Sequence, residues 1–141
     1  MRATSMKKLS RMGLLAVAIF GIGAGVAVAG QKYTYPVYVN SSQNYAEGSM
    51  GSARNSTDTS QMIGCAAEGW TYNGTSYSAV FCNAMDSAGH SASCYTSSNP
   101  TLLATVGTIT SDSYVYFAWD STGACTVIEA ETWSTFAPKQ P

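Results

Sequence analysis

The chain has 141 residues, with seven Lys and Arg, eight Asp and Glu and one His, and only 11% of it is charged. So few cations leave no cluster to neutralise phosphates, which excludes nucleic acid as an expected partner. The 45% hydrophobic content and the four cysteines point to a small folded domain whose cysteines need an explanation.

The start of the chain carries Arg2, Lys7, Lys8 and Arg11 and no acid. An apolar run over residues 14–28 follows, and Ala27-Val28-Ala29 has the small-x-small form of a signal-peptidase site. Together these are expected to form a signal peptide over residues 1–29, cleaved after Ala29. The run is shorter than the ~20 residues of a spanning helix and is rich in Gly and Ala, so no membrane insertion is expected after cleavage. Residues 30–141 fit a single domain. They hold Lys32, Arg54 and Lys139 against all eight acids, three minus eight, a formal balance of −5. That balance also argues against attraction to anionic lipid. Four cysteines behind an export signal read as disulfides. A metal site is not expected, because the gaps are wide, no C-x-x-C occurs and His90 is the single histidine. No cofactor is expected either.

In chain order, residues 31–40 alternate around Tyr33, Tyr35, Val37 and Val39 and read as a first strand. Pro36 lacks a ladder donor and places that strand at an edge. Residues 45–54, with Gly48 and Gly51 inside, read as a weak, twisted strand in which glycine marks a bulge or a close approach to the backbone. Residues 60–67, 76–85 and 91–96 read as a three-stranded meander. Asn73-Gly74 is a strong two-residue hairpin signal, and folding about it sets Cys65 opposite Cys82. The turn over residues 86–90 sets Cys82 opposite Cys94. Period-two alternation then turns Ile63, Cys65, Ala67, Val80, Cys82, Ala84, Ala92 and Cys94 to one small apolar face, and Tyr77, Phe81 and Tyr95 to the other.

Asn99 as N-cap, Pro100 at the first position and Gly107 past the end predict a helix of about two turns that crosses between sheets. Residues 113–120 form the clearest strand, with Val115, Phe117 and Trp119 on the core side and Tyr114, Tyr116 and Ala118 opposite. A turn at Ser121-Thr122-Gly123 leads into residues 124–131, where Cys125 and Val127 are expected to share one face and Thr126 and Ile128 the other. About seven short strands and one short helix predict an all-β fold, an antiparallel β-sandwich or flattened barrel, stapled by disulfides.

Four cysteines allow three pairings. Cys65 and Cys94 lie two strands apart, roughly 9–10 Å, which is too far to bridge. Cys82–Cys94 with Cys65–Cys125, or Cys65–Cys82 with Cys94–Cys125, remain. The first is preferred here because it closes the longest loop. In either, Cys125 ties the later hairpin to the meander.

No residue is expected to be catalytic. His90 lies in a turn, and no G-x-S-x-G elbow accompanies it. Glu129 and Glu131 share a strand face, a spacing that glycoside hydrolysis could use, although such pairs on outer strands are usually solvated. Asp58, Asp86 and Asp112 lack calcium-loop spacing. The nine tyrosines and three tryptophans are the remaining candidates. Trp70, Tyr72 and Tyr77 gather near the Asn73-Gly74 turn and are the expected ligand-binding residues, since exposed rings stack on sugars or dock a partner.

The phrases Gly48-Ser49, Ala53-Arg54-Asn55-Ser56, Gln61-Met62-Ile63-Gly64-Cys65, Ser113-Tyr114-Val115-Tyr116-Phe117 and Cys125-Thr126 resemble a group of small exported bacterial β proteins with no assigned activity. The resemblance implies bacterial export and paired cysteines and carries over no catalytic residue. The expectation is a secreted or cell-surface structural or binding module, with an extracellular glycan or a surface protein as its partner. The alternatives are a small secreted glycan hydrolase using Glu129 and Glu131, and a secreted enzyme inhibitor presenting a hairpin.

Overall fold

A computed structural model describes residues 30–97 and 99–136. The expected signal peptide and the tail over residues 137–141 lie outside the described residues. The described residues form seven strands in two antiparallel sheets, with two helices. The strands are β1 (Tyr38–Asn40), β2 (Tyr45–Ser49), β3 (Met62–Tyr72), β4 (Thr75–Met85), β5 (Ser91–Ser97), β6 (Tyr114–Trp119) and β7 (Cys125–Glu131). The helices are α1 (Met50–Arg54) and α2 (Pro100–Val106). One sheet has the order β1-β2-β6-β7 and the other β3-β4-β5. The expected two-sheet, antiparallel architecture is therefore what the chain adopts.

The meander forms in the register set by its turns. Asn73 and Gly74 both take positive φ, 50° and 77°, as a two-residue hairpin requires. Cys65 pairs with Cys82 and Cys82 with Cys94. The hairpin is longer than expected, running on to Tyr72 and Thr75. β5 stops at Ser97, opposite Ala79, so the far end of the hairpin has no third strand beside it. Residues 66–77 there are exposed throughout.

Residues 45–54 are not one strand. β2 ends at Ser49, whose side chain accepts a hydrogen bond from the Ser52 backbone N–H and caps α1. Gly51, Ser52 and Ala53 are buried, so the small residues that weaken a strand let this turn of helix pack close. Gly48 does mark a close approach: a Cβ there would lie 2.9 Å from the Val37 Cα. The first strand is shorter than expected and lies at a sheet edge. Ahead of it, Tyr33 bridges to Phe136 and the Val37 N–H donates to Gln61 Oε1 at 2.9 Å. Helix α2 forms as expected, with Asn99 Oδ1 accepting from the Leu102 N–H, and carries the chain from one sheet to the other.

The core lies between the sheets. Phe117, Val115, Val80, Cys82 and Ala46 are its most enclosed members, with Ile128, Leu102 and Val106 around them. Trp119 packs against this cluster but is only half-buried. The expected facing of β7 changes at its start. A β-bulge between Ala118 and Trp119 sets Ala118 opposite Val127 and Trp119 opposite Cys125. The extra residue lets Cys125 and Ile128 both turn inward and leaves Val127 exposed.

The disulfides are Cys65–Cys82 and Cys94–Cys125. This corrects the preferred pairing, and strand geometry gives the reason. Antiparallel pairs alternate between hydrogen-bonded and non-hydrogen-bonded, and side chains come closest in the latter. The pair that closes a two-residue turn, Tyr72–Thr75, is hydrogen-bonded, so the odd step down to Cys65–Cys82 makes that pair non-hydrogen-bonded. Its Cα separation of 4.0 Å agrees. On the other side of β4 the Tyr95 N–H points away, to the Gly123 carbonyl at 3.1 Å, so Cys94 is the residue that bonds toward β4. Cys82–Cys94 is thus the wide pair, and Cys94 takes Cys125, next to the Tyr95–Ala124 bridge where the two sheets meet. Loop length acts on the unfolded chain and does not choose between native neighbours.

Candidate functional site

Two outward faces carry the aromatic side chains. The first is the outer face of the β3-β4 hairpin. Trp70 and Tyr77 are cross-strand partners there, and their rings stack at 5.8 Å with 16° between planes. Trp70 is 44% and Tyr77 42% exposed, and Tyr72, at the tip of the same face, is 66% exposed. The three expected binding residues therefore lie together. Phe81 and Tyr95 pair lower on the same face, with centroids 4.9 Å apart. The period-two pattern extends the row from the supported part of the sheet out along the free ribbon.

The second face is the outer side of the four-stranded sheet. Alternation turns Tyr45 and Glu47 of β2, Tyr114 and Tyr116 of β6, and Glu129 and Glu131 of β7 the same way. Glu47 and Glu129 stand opposite Tyr116 on its two sides, and Glu131 stands opposite Tyr114. The Tyr114 hydroxyl donates to Glu47 Oε2 at 2.5 Å. Burial, that hydrogen bond and the charges of Glu47, Glu131 and Glu129 all push the Tyr114 pKa well up. Burial and the Glu129 charge push Tyr116 in the same direction. Three carboxylates thus act on one patch of tyrosine.

At one end of this face lies a cavity of about 420 Å³, lined by Tyr35, Tyr114, Glu131, Trp133, Thr135 and Phe136. Residues far apart in sequence build it. The Tyr33 N–H donates to the Thr135 carbonyl at 2.8 Å, laying the start of the described chain along its end. Tyr35, Tyr114 and Phe136 then pack ring on ring, with centroids 5.5–5.8 Å apart. Trp133 is 65% exposed and stands at the mouth. Of the two glutamates singled out in the sequence, Glu131 lines this cavity, whereas Glu129 faces Tyr116 outside its walls. The two do not converge on one enclosed cleft.

His90 is held by Asp86. Its Nδ1 lies 2.9 Å from Asp86 Oδ2, while Asp86 Oδ1 accepts from the Ala88 and His90 N–H groups. Burial pushes the Asp86 carboxyl up, but the His90 hydrogen bonds and charge and the Ala88 N–H outweigh it and leave the pKa lowered. Through these contacts Asp86 and His90 clamp the turn between β4 and β5. The sulfurs of Cys82, Cys94 and Cys125 lie within 4.8 Å of one another, but all are tied in bridges and none is a thiolate ligand.

The cavity was not legible in the sequence. The Tyr114/Tyr116 alternation gave the facing of β6, but nothing local placed Tyr35 beside Phe136 or Glu47 beside Tyr114. No protein family, curated protein or solved structure matches the chain. Its fold is an all-β, two-sheet domain closed by two disulfides, bonds compatible with an extracellular or periplasmic location.

Proposed function

We propose that this is a bacterial exported binding module that holds an extracellular glycan on the Trp70–Tyr77 face of its hairpin. The observation that carries this reading is the parallel, solvent-facing Trp70–Tyr77 stack on a ribbon that extends past its neighbouring strand. The part of each ring left exposed by the stack offers apolar surface to the C–H face of a sugar, and indole and phenol also offer polar edges. The disulfide across Cys65 and Cys82 anchors the base of the ribbon, which keeps the platform pre-organised. Export follows from the basic start, apolar run and Ala27-Val28-Ala29 site, and fits the paired cysteines.

A glycan array probed with the mature chain and with Trp70→Ala and Tyr77→Ala tests this. Both variants should lose binding while keeping the parent's unfolding midpoint, because neither ring belongs to the core. Unchanged binding in both removes the platform. The same protruding hairpin fits a secreted inhibitor that presents its tip to an enzyme. That reading predicts a tight protein complex in culture supernatant and no glycan hit.

A further inference from the structure

We propose that the cavity bounded by Tyr35, Tyr114, Trp133, Phe136 and Glu131 binds an organic cation, a substituted ammonium group. This is a second site, on the opposite sheet from the hairpin platform and independent of it. The argument begins with shape: the concavity has a volume suited to a small headgroup, and four of its six lining residues are aromatic. Ring faces are electron-rich and attract a cation, more strongly when water is partly excluded. Tyr114 is well suited, because its hydroxyl donates a hydrogen bond to the Glu47 carboxylate and so leaves the ring richer in electrons.

Charge then selects the ligand. Glu131 lines the cavity, Glu47 holds the Tyr114 hydroxyl, and Glu129 stands one pair along the sheet. Among the described residues no Lys, Arg or His lines the cavity, and none of these three carboxylates has an ion-pair partner. Of the two described cations outside the lining, Arg54 is engaged elsewhere, donating to the Ser111 carbonyl at 3.0 Å, and Lys32, beside Tyr33, forms no ion pair with any of the three carboxylates. Burial first, and then the Glu47 hydrogen bond and the charges of Glu47, Glu131 and Glu129, raise the Tyr114 pKa, so the carboxylates act on this ring as well as on the space beside it. An anion would be repelled from this face. A neutral sugar could use the rings but would leave the three charges unanswered. A substituted ammonium satisfies both the rings and Glu131.

Such a group could belong to a quaternary headgroup or to the side chain of a lysine on a partner protein. Titration of the mature chain with choline, with n-butylammonium and with the uncharged carbon isostere of choline separates these, read by tryptophan fluorescence and calorimetry. We expect choline or butylammonium to bind, the isostere to bind at least about tenfold more weakly, and affinity to fall as salt is added. Choline preferred over butylammonium assigns a quaternary headgroup; the reverse order assigns a lysine-like amine. Glu131→Gln and Trp133→Ala should each weaken binding about tenfold, within the cation–π and ion-pair range. Both residues are exposed, so both variants should fold, and Glu68→Gln, which removes an exposed carboxylate on the other sheet, should leave cation binding unchanged. Equal binding of the isostere, no effect of Glu131→Gln, or no binding of either cation at millimolar concentration overturns the proposal.

Discussion

Removing the Cys94–Cys125 bridge, by Cys94→Ala with Cys125→Ala to leave no odd thiol, tests the account of how the sheets are joined. The bridge spans 31 residues and links β5 of one sheet to β7 of the other. For a loop of that length the entropy withheld from the unfolded chain corresponds to about 3.7 kcal/mol. The same relation gives about 3.1 kcal/mol for Cys65–Cys82, which spans 17 residues within one hairpin. Against the ~5–15 kcal/mol typical of a domain, loss of the inter-sheet bridge should be severe. Guanidinium unfolding followed by fluorescence should show a lower midpoint together with a steeper slope, because the released unfolded chain exposes more surface. Cleavage after acidic residues under non-reducing conditions gives the matching chemical check. It puts each cysteine on its own fragment, and fragments 59–68 with 69–86, and 87–112 with 121–129, should emerge linked. A loss below about 1 kcal/mol with an unchanged slope, or a fragment pair joining Cys82 to Cys94, would refute the reasoning.

Three further outcomes follow from the packing and the charges. Phe117→Ala, at a fully buried position, should cost about 3–5 kcal/mol in equilibrium unfolding. Gly48→Ala should destabilise the domain, because the new Cβ would meet the Val37 backbone at 2.9 Å, whereas Gly69→Ala, with only ordinary contact at 3.8 Å, should be mild; thermal melts of the two separate these cases. Asp58, which accepts from the Gln61 and Ser60 side chains, the Gln61 N–H and the Ser56 hydroxyl, is held well below the usual carboxylate range. Asp86 and Asp120 are lowered too. A lowered folded-state pKa gives stability that is present above the unfolded value near ~4 and is lost as pH falls through the folded one. Melting temperature should therefore hold down to about pH 4 and drop below it, and Asp58→Asn should flatten that drop.

The fold was legible where local chemistry decides it. Asn73-Gly74 fixes a turn, and the turn fixes the pairing of every residue from Met62 to Met85. Asn99 and Pro100 open a helix where the sequence says one should start. The disulfides too follow local chemistry, because the parity of strand pairs counted from the turn sets Cys65 and Cys82 as a close pair whatever the loop length. What sequence could not reveal depends on distant neighbours. That β2 pairs with β6, across some 65 residues, is not encoded in either strand. The bulge opposite Ala118 that turns Cys125 inward leaves no local mark. Trp70, Tyr72 and Tyr77 were found because they sit beside one turn. Tyr35, Trp133 and Phe136 come from opposite ends of the described chain and meet only after both sheets have formed.

The placement of the two bridges also governs how the domain would respond to being pulled. Tension applied at residues 30 and 136 can lengthen only the chain outside the bridged loops. Those loops, of 31 and 17 residues, withhold roughly 100–110 Å and 55–60 Å of contour at ~3.3–3.6 Å per residue. The hairpin platform lies largely inside the shorter loop, and helix α2 with strand β6 lies inside the longer one. An oxidised domain under load would thus stay a short tether with its Trp70–Tyr77 turn still closed at its base. Reduction would let the same chain reach roughly 160 Å further, so the redox state of its surroundings would set its length as a linker.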